Sequence, residues 1–185
     1  MVRNGMTDPN PTRERLLDAA RHAFWTRGYS NVALREIAGC AAVDVALIAR
    51  YFGDKQGLFE ATLDLAFDLS GFPEADADAL VDRIVDIFVS TPRDCETPSI
   101  VRMILTNAHD PHVGALVRAR HAEVLQAYLD RIIGNSERAA LFMSVCLGLS
   151  VAEKSLKLDG IAPPGSPVYE AQLRHMLQAA LTFTP

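Results

Sequence analysis

A guanidinium carries a planar fork of donors that pairs bidentately with a guanine edge or a phosphate. Two such groups, Arg35 and Arg50, lie on neighbouring short helical stretches near the front of the chain, and Arg50 is followed by Tyr51 and then Lys55. Alone, each would be an ordinary solvated charge; presented together, they form a row of donors. The other chemistry-bearing residues are sparser. The run His109-Asp110-Pro111-His112 invites a metal, but its histidines straddle a predicted helix break, so no fixed ligand geometry follows and no metal site is expected. Cys40, Cys95 and Cys146 are odd in number and widely spaced, with no C-x-x-C pair, which argues against a disulfide framework or a zinc site. Each is expected to be a small buried apolar residue. No glutamate has a histidine three residues later, as a di-iron bundle needs, and no phosphate-binding Gly-rich loop occurs. The nearest approach to a Gly-x-Ser-x-Gly nucleophile turn, Gly148-Leu149-Ser150-Val151-Ala152, falls in the middle of a predicted helix. An enzyme is therefore not expected, and no catalytic residue or cofactor is assigned.

The elements that must present these residues are helices. Apolar positions recur at helical spacing, and strand-like alternation is nearly absent. Thr12 is the expected N-cap of a first helix carrying Leu16, Leu17, Ala20, Ala23, Phe24 and Trp25, stopped by Gly28. A short helix over 34–40 follows, then one from Asp44 to Phe52, then one from Lys55 to about Ser70. Beyond Gly71-Phe72-Pro73, helices are predicted at roughly 75–90, 98–108, 111–133, 136–158 and 167–183. The total is about nine helices with short loops, an all-α protein. The two short helices and their turn, braced by the first helix, make a helix-turn-helix unit. Ala38 is the small residue at the crossing, and Ile37, Val43 and Ile48 form the apolar wedge.

From Thr12 to Phe59 the chain resembles the DNA-binding domain of the tetracycline-repressor (TetR) family. The matching residues are Leu17, Ala19, Ala20 and Phe24, the Arg27-Gly28-Tyr29 ending, and Arg35-Glu36-Ile37-Ala38. Above all there is Tyr51-Phe52-Gly53-Asp54-Lys55 followed by Leu58-Phe59. The resemblance implies a helix-turn-helix transcriptional regulator with a DNA-binding domain over 12–55 and a helical effector-binding and dimerisation domain over 56–185, while residues 1–11, polar with two prolines, read as a flexible arm. It also implies that Tyr51 and Lys55 contact phosphate, which sets register without reading sequence. Arg35 and Arg50 are the expected base readers. Val45, Ala46 and Ala49 face the groove either as thymine-methyl contacts or as plain helix filler. Three departures from the family pattern stand out. Ala42 replaces a turn glycine, at a cost of about 1 kcal/mol if its φ is positive. Ala33 replaces a capping hydroxyl, leaving Glu36 as half of a capping box with Asn31 as a substitute cap, a loss of about 1 kcal/mol. The groove-facing flank of the second short helix is also unusually apolar.

In the body, the resemblance implies a dimer interface built by the last two helices, to which Ser144, Leu147, Gly148, Val151, Leu173, Met176, Leu177 and Ala180 are assigned. Dimerisation would supply palindromic recognition with half-sites about 34 Å apart or a multiple. A small-molecule effector would occupy a pocket among the body helices. Phe67, Phe88, Met103, Leu105, His109, Phe142 and Met143 are its candidate lining, though core packing is the plainer reading of each. The net charge of −5 divides into +2 over residues 1–55 and −7 over the remainder, as expected if only the front end meets phosphate. The longest uncharged run, from Ala139 to Ala152, is too short for the roughly 20 residues of a membrane span. A soluble, cytoplasmic protein with no membrane partner is expected. The competing reading is a dimeric helical ligand-binding protein with weak or lost DNA recognition, motivated by the apolar flank, Ala33 and Ala42.

Overall fold

Helix α1, Pro11–Arg27, begins where Asn10 turns its side-chain oxygen back to the Thr12 and Arg13 N–H groups at 3.1 and 3.3 Å. The N-cap is thus Asn10, and the expectation of Thr12 is corrected. Pro11 occupies the first helical position, where its missing N–H would have had no intrahelical partner, and this places the cap one residue ahead of it. Leu16, Ala20, Ala23, Phe24 and Trp25 form the buried stripe of α1, which ends at Gly28 with φ +89°. The computed structural model describes residues 10–74, 76–92 and 96–184. The expected arm over 1–11 lies outside these apart from Asn10 and Pro11, as does Cys95.

Helices α2 (Leu34–Cys40), α3 (Ala46–Phe52) and α4 (Lys55–Ala66) follow in quick succession. The fourth ends sooner than Ser70, because Asp68 accepts a hydrogen bond from the Ser70 N–H at 3.0 Å and folds a local turn. The body contains α5 (Ala77–Ser90), α6 (Ile100–Asn107), α7 over residues 114–133, α8 (Ser136–Leu156) and α9 (Pro167–Thr182). Asp76, Ser99, Asn135 and Ser166 cap α5, α6, α8 and α9 with side-chain acceptors. Two π-helical stretches interrupt the regular ladder, His121–Gln126 within α7 and Ala152–Leu156 at the end of α8. The described residues thus form nine helices and no strand.

Helix α1 is the axle of the front end, packing on α2, α4 and also α6 of the body, while α9 lies along α8 and α5. One continuous core runs through both ends of the molecule. Its one cross-helix polar pair in α4 is fully served: the Thr62 hydroxyl accepts from Trp25 Nε1 at 3.3 Å and donates to the Phe59 carbonyl at 2.7 Å. With its charged ends, Ser136–Leu156 reaches 21 residues, longer than its uncharged run alone, and an 18-residue window within it has mean hydropathy 1.4. It packs as a core helix, burying Ala139, Phe142, Met143, Cys146 and Leu149 against its neighbours. Of the cysteines, Cys146 is buried and its thiol is pushed up to about 12 by burial, whereas Cys40 is exposed. The expectation that Cys40 is buried is therefore corrected: it is the last residue of the short α2, past the Ile37–Ala38 contact that anchors that helix.

Candidate nucleic-acid interface

The turn between α2 and α3 is made by Ala42, with φ +53°. Its N–H donates to the Gly39 carbonyl, and the Val43 N–H donates to the Ala38 carbonyl at 3.0 Å. A side chain with Cβ costs about 1 kcal/mol in this left-handed conformation, and the turn keeps its shape nonetheless. Asp44 opens α3 by accepting from the Ala46 N–H at 2.7 Å. Ile37, Ala38 and Ile48 are buried and Val43 half-buried, so the expected wedge is in place. At α2, Ala33 has no side-chain oxygen to offer. Glu36 supplies the single reciprocal bond, accepting from the Ala33 N–H at 2.9 Å. That hydrogen bond and the nearby Arg27 charge hold the Glu36 carboxyl below its ordinary value. Asn31 does not act as the substitute cap: its amide donates to the Arg27 carbonyl at 2.9 Å and closes the end of α1 instead.

This frame leaves Val45, Ala46, Ala49 and Arg50 exposed along one flank of α3, and Arg35 exposed on α2. Ile48 anchors the opposite side, with Leu47 half-buried against the core. Tyr51 is half-buried; the Arg50 guanidinium lies 5.8 Å from its ring centroid, and its hydroxyl oxygen accepts from Asn10 Nδ2 at 3.0 Å. Lys55 stands apart from this pair, with Nζ 4.4 Å from the Tyr29 ring centroid. Burial lowers its pKa, partly countered by the negative charge of Asp110. The spacing of Tyr51 and Lys55 is fixed by a hard turn. Gly53 has φ +82°, Asp54 caps α4 by accepting from the Gly57 N–H at 2.8 Å, and a Cβ on Gly57 would collide with the Phe52 carbonyl oxygen.

Sequence reasoning missed the polar strap that joins this unit to the body. Asn107, fully buried at the end of α6, donates to the Phe24 and Met103 carbonyls, both at 3.0 Å, and accepts from the Tyr29 N–H at 2.8 Å. Arg102 donates to the Thr26 carbonyl at 2.9 Å, and Asp110 accepts from the Ser30 N–H at 3.1 Å. Gly28 passes so close to α6 that a Cβ there would sit 3.2 Å from the Thr106 methyl. The available signal was Asn107 on the same helical face as the apolar Met103 and Ile104. Asp110 also caps the His112 and Val113 N–H groups. No group of three or more His, Cys, Asp or Glu among the described residues could hold a metal ion.

The body candidates divide. Phe88, Phe142 and Met143 line a narrow apolar cavity of about 60 Å³ between α5, α6, α7 and α8. Phe67 and Met103 are buried elsewhere in the core. Leu105 and His109 are exposed and do not line this cavity, because α6 turns Met103 and Ile104 inward instead. Of the interface candidates, Ser144 and Gly148 are exposed, and Leu147, Val151 and Met176 are half-buried. Leu177 and Ala180 are buried within the protomer, and Leu173 forms the floor of an open groove of about 450 Å³ between α8 and α9. All three lie on the side of α9 that packs on the chain's own α5 and α8.

Residues 16–62 match the family model for bacterial regulatory proteins of the tetR family, and residues 78–181 match the tetracyclin repressor-like C-terminal domain. The chain is similar to the HTH-type transcriptional regulator UidR of Escherichia coli K12, at 25% identity over 137 residues, spanning 71% of this chain and 70% of that protein. Among solved structures, a TetR-family transcriptional regulator from Streptomyces coelicolor superposes with a TM-score of 0.64 at 21% identity, covering 92% of this chain and 94% of that one. A cysteine mutant of the TetR-family regulator CifR, complexed with 26-base-pair operator DNA, gives a TM-score of 0.60 at 22% identity over the full length of both chains.

Proposed function

The chain belongs to the tetR family of bacterial regulatory proteins and is a helix-turn-helix transcriptional regulator, and from that premise we propose that it represses transcription as a homodimer on palindromic operator DNA until a small-molecule effector releases it. The observation that carries this reading is the exposed flank of α3, where Arg50 stands beside Tyr51 on a frame fixed by Asp44, Gly53 and Gly57. The solved CifR complex, which shares the fold, holds operator DNA. Here Arg50 and Arg35 read base edges, Val45, Ala46 and Ala49 touch thymine methyls, and Tyr51 and Lys55 bind phosphates. Residues 12–55 are the DNA-binding part and 56–185 the effector-binding and dimerising part. The protein works in the cytoplasm, where its DNA is.

The second copy docks on the outer faces of α8 and α9, where Ser144, Gly148 and Met176 border the groove between them. Small residues there permit close approach of helices. The effector enters the cavity lined by Phe88, Phe142 and Met143, which must expand to hold it, since ligand pockets run to roughly 300–1,000 Å³. Its walls include Ile100 and Val101 of α6, and the far end of α6 carries Asn107, strapped to the end of α1. An effector that binds better to one α6 position than to the other shifts the population between DNA-competent and released states.

A fluorescence-anisotropy titration against DNA flanking the protein's own gene tests the reading. Arg50→Ala should erase the preference for one fragment over random DNA. Lys55→Ala should weaken binding to every sequence alike and flatten the salt dependence. Equal, shallow binding of all fragments by the unaltered protein would overturn it.

A further inference from the structure

The geometry assigns a second task to the helix cap Asn10: we infer that it orients the Tyr51 hydroxyl so that its hydrogen points outward to a DNA phosphate. The inference rests on the phosphate-contact role proposed for Tyr51. The side-chain oxygen of Asn10 is committed to the Thr12 and Arg13 N–H groups. Those two donors need an acceptor, so the amide cannot be turned over without facing N–H against N–H. Its nitrogen must therefore face Tyr51, 3.0 Å from the hydroxyl oxygen, and the phenol is the acceptor of that bond. A phenol that accepts on one side keeps a single hydrogen, which settles near the ring plane away from the incoming donor.

Neighbouring contacts keep the ring from swinging. The Arg50 guanidinium lies against the Tyr51 ring, and the Arg13 guanidinium sits 5.1 Å from the Phe52 ring centroid. The start of α1 is thereby tied to the end of α3 by two adjacent residues. Asn10 is exposed and Tyr51 half-buried, so the bond lies at the solvent edge of the unit, next to the flank that Arg50 occupies. Asn10 is a positioning residue: it touches the contact residue, and through it sets how that residue meets the backbone.

The test uses a fluorescein-labelled DNA duplex of random sequence at low salt, because a phosphate contact is read without an operator. Four proteins are compared with the unaltered chain: Asn10→Ser, Asn10→Asp, Tyr51→Phe and the Asn10→Ser/Tyr51→Phe pair. Ser and Asp both cap helices about as well as Asn, so thermal melting should stay unchanged in both single Asn10 variants. Tyr51→Phe should weaken binding about ten- to a hundredfold, the size of one hydrogen bond to a charged group. Asn10→Ser should weaken it by a smaller factor with the salt slope unchanged, since no cation is lost. That effect should vanish in the Tyr51→Phe background. Asn10→Asp should bind worst, because a carboxylate turns the bond round and takes the phenol hydrogen for itself. If Tyr51→Phe weakens binding while Asn10→Ser does not, or if Asn10→Ser weakens binding equally without the phenol, the inference is overturned and the Tyr51 role stands. If Tyr51→Phe leaves binding unchanged, both fall.

Discussion

Replacing Asn107 by alanine should loosen the joint between the DNA-binding unit and the body before it unfolds either. Asn107 has no exposed surface and makes three hydrogen bonds, to the Phe24 carbonyl, the Met103 carbonyl and the Tyr29 N–H. The losses are unequal. The Phe24 carbonyl still accepts from the Gly28 N–H at 3.0 Å, so it is not orphaned. The Tyr29 N–H, by contrast, is left with no acceptor in a part-buried turn, which costs about 1–3 kcal/mol. The vacated side-chain volume adds a smaller packing loss. A local cost of about 2 kcal/mol should speed amide hydrogen exchange in the turn over residues 28–31 by about 30-fold. Exchange in α8, which takes no part in the three hydrogen bonds of Asn107, should be unchanged. Native-state exchange followed by mass spectrometry, at fixed protein concentration, reads both regions in one experiment. Asn107→Asp should be worse at neutral pH, because it keeps the acceptor for Tyr29 but sets a buried charge against two carbonyls. It should recover in part as acid protonates it. If the turn over 28–31 kept its protection in Asn107→Ala, the strap would not be what joins the two parts.

Ala42→Gly should raise stability to urea by up to about 1 kcal/mol, because glycine takes φ +53° without strain, although its looser unfolded chain offsets part of the gain. Gly57→Ala should abolish DNA binding out of proportion to its effect on melting temperature, since the new Cβ would push Phe52 away and disturb the Tyr51–Lys55 spacing. Burial alone would raise the Asp110 pKa, but hydrogen bonds from Ser30, His112 and Val113 bring it below the ordinary value. Its contribution to stability is therefore complete above the ordinary aspartate range and is lost as pH falls through the depressed value. Urea melts of Asp110→Asn across that acid window should lack this component of the pH dependence, and an unchanged slope would refute the assignment.

The helical organisation was legible because amphipathic stripes and stop signals repeat cleanly, from the Leu16–Trp25 stripe ended by Gly28 to the Ser166-Pro167 start of α9. The strained Ala42 was legible too, since it stands where the family's turn carries a glycine. What escaped was nonlocal or ambiguous in one dimension. Thr12 and Asn10 are both good caps, and only the position of Pro11 separates them. Leu105 and Met103 differ by two positions on α6, enough to turn one outward and the other into the core. Asn107 was missed because its partners Phe24 and Tyr29 are 83 and 78 residues away in sequence.

Reading of DNA sequence by α3 in a two-fold arrangement is tested most directly by selection from a pool of random duplexes. Purified protein shown to be folded should enrich one inverted repeat, with half-sites centred about 34 Å apart or a multiple of that spacing. Arg50→Ala should enrich nothing above the pool. Recovered duplexes no more alike than the starting pool would contradict the account.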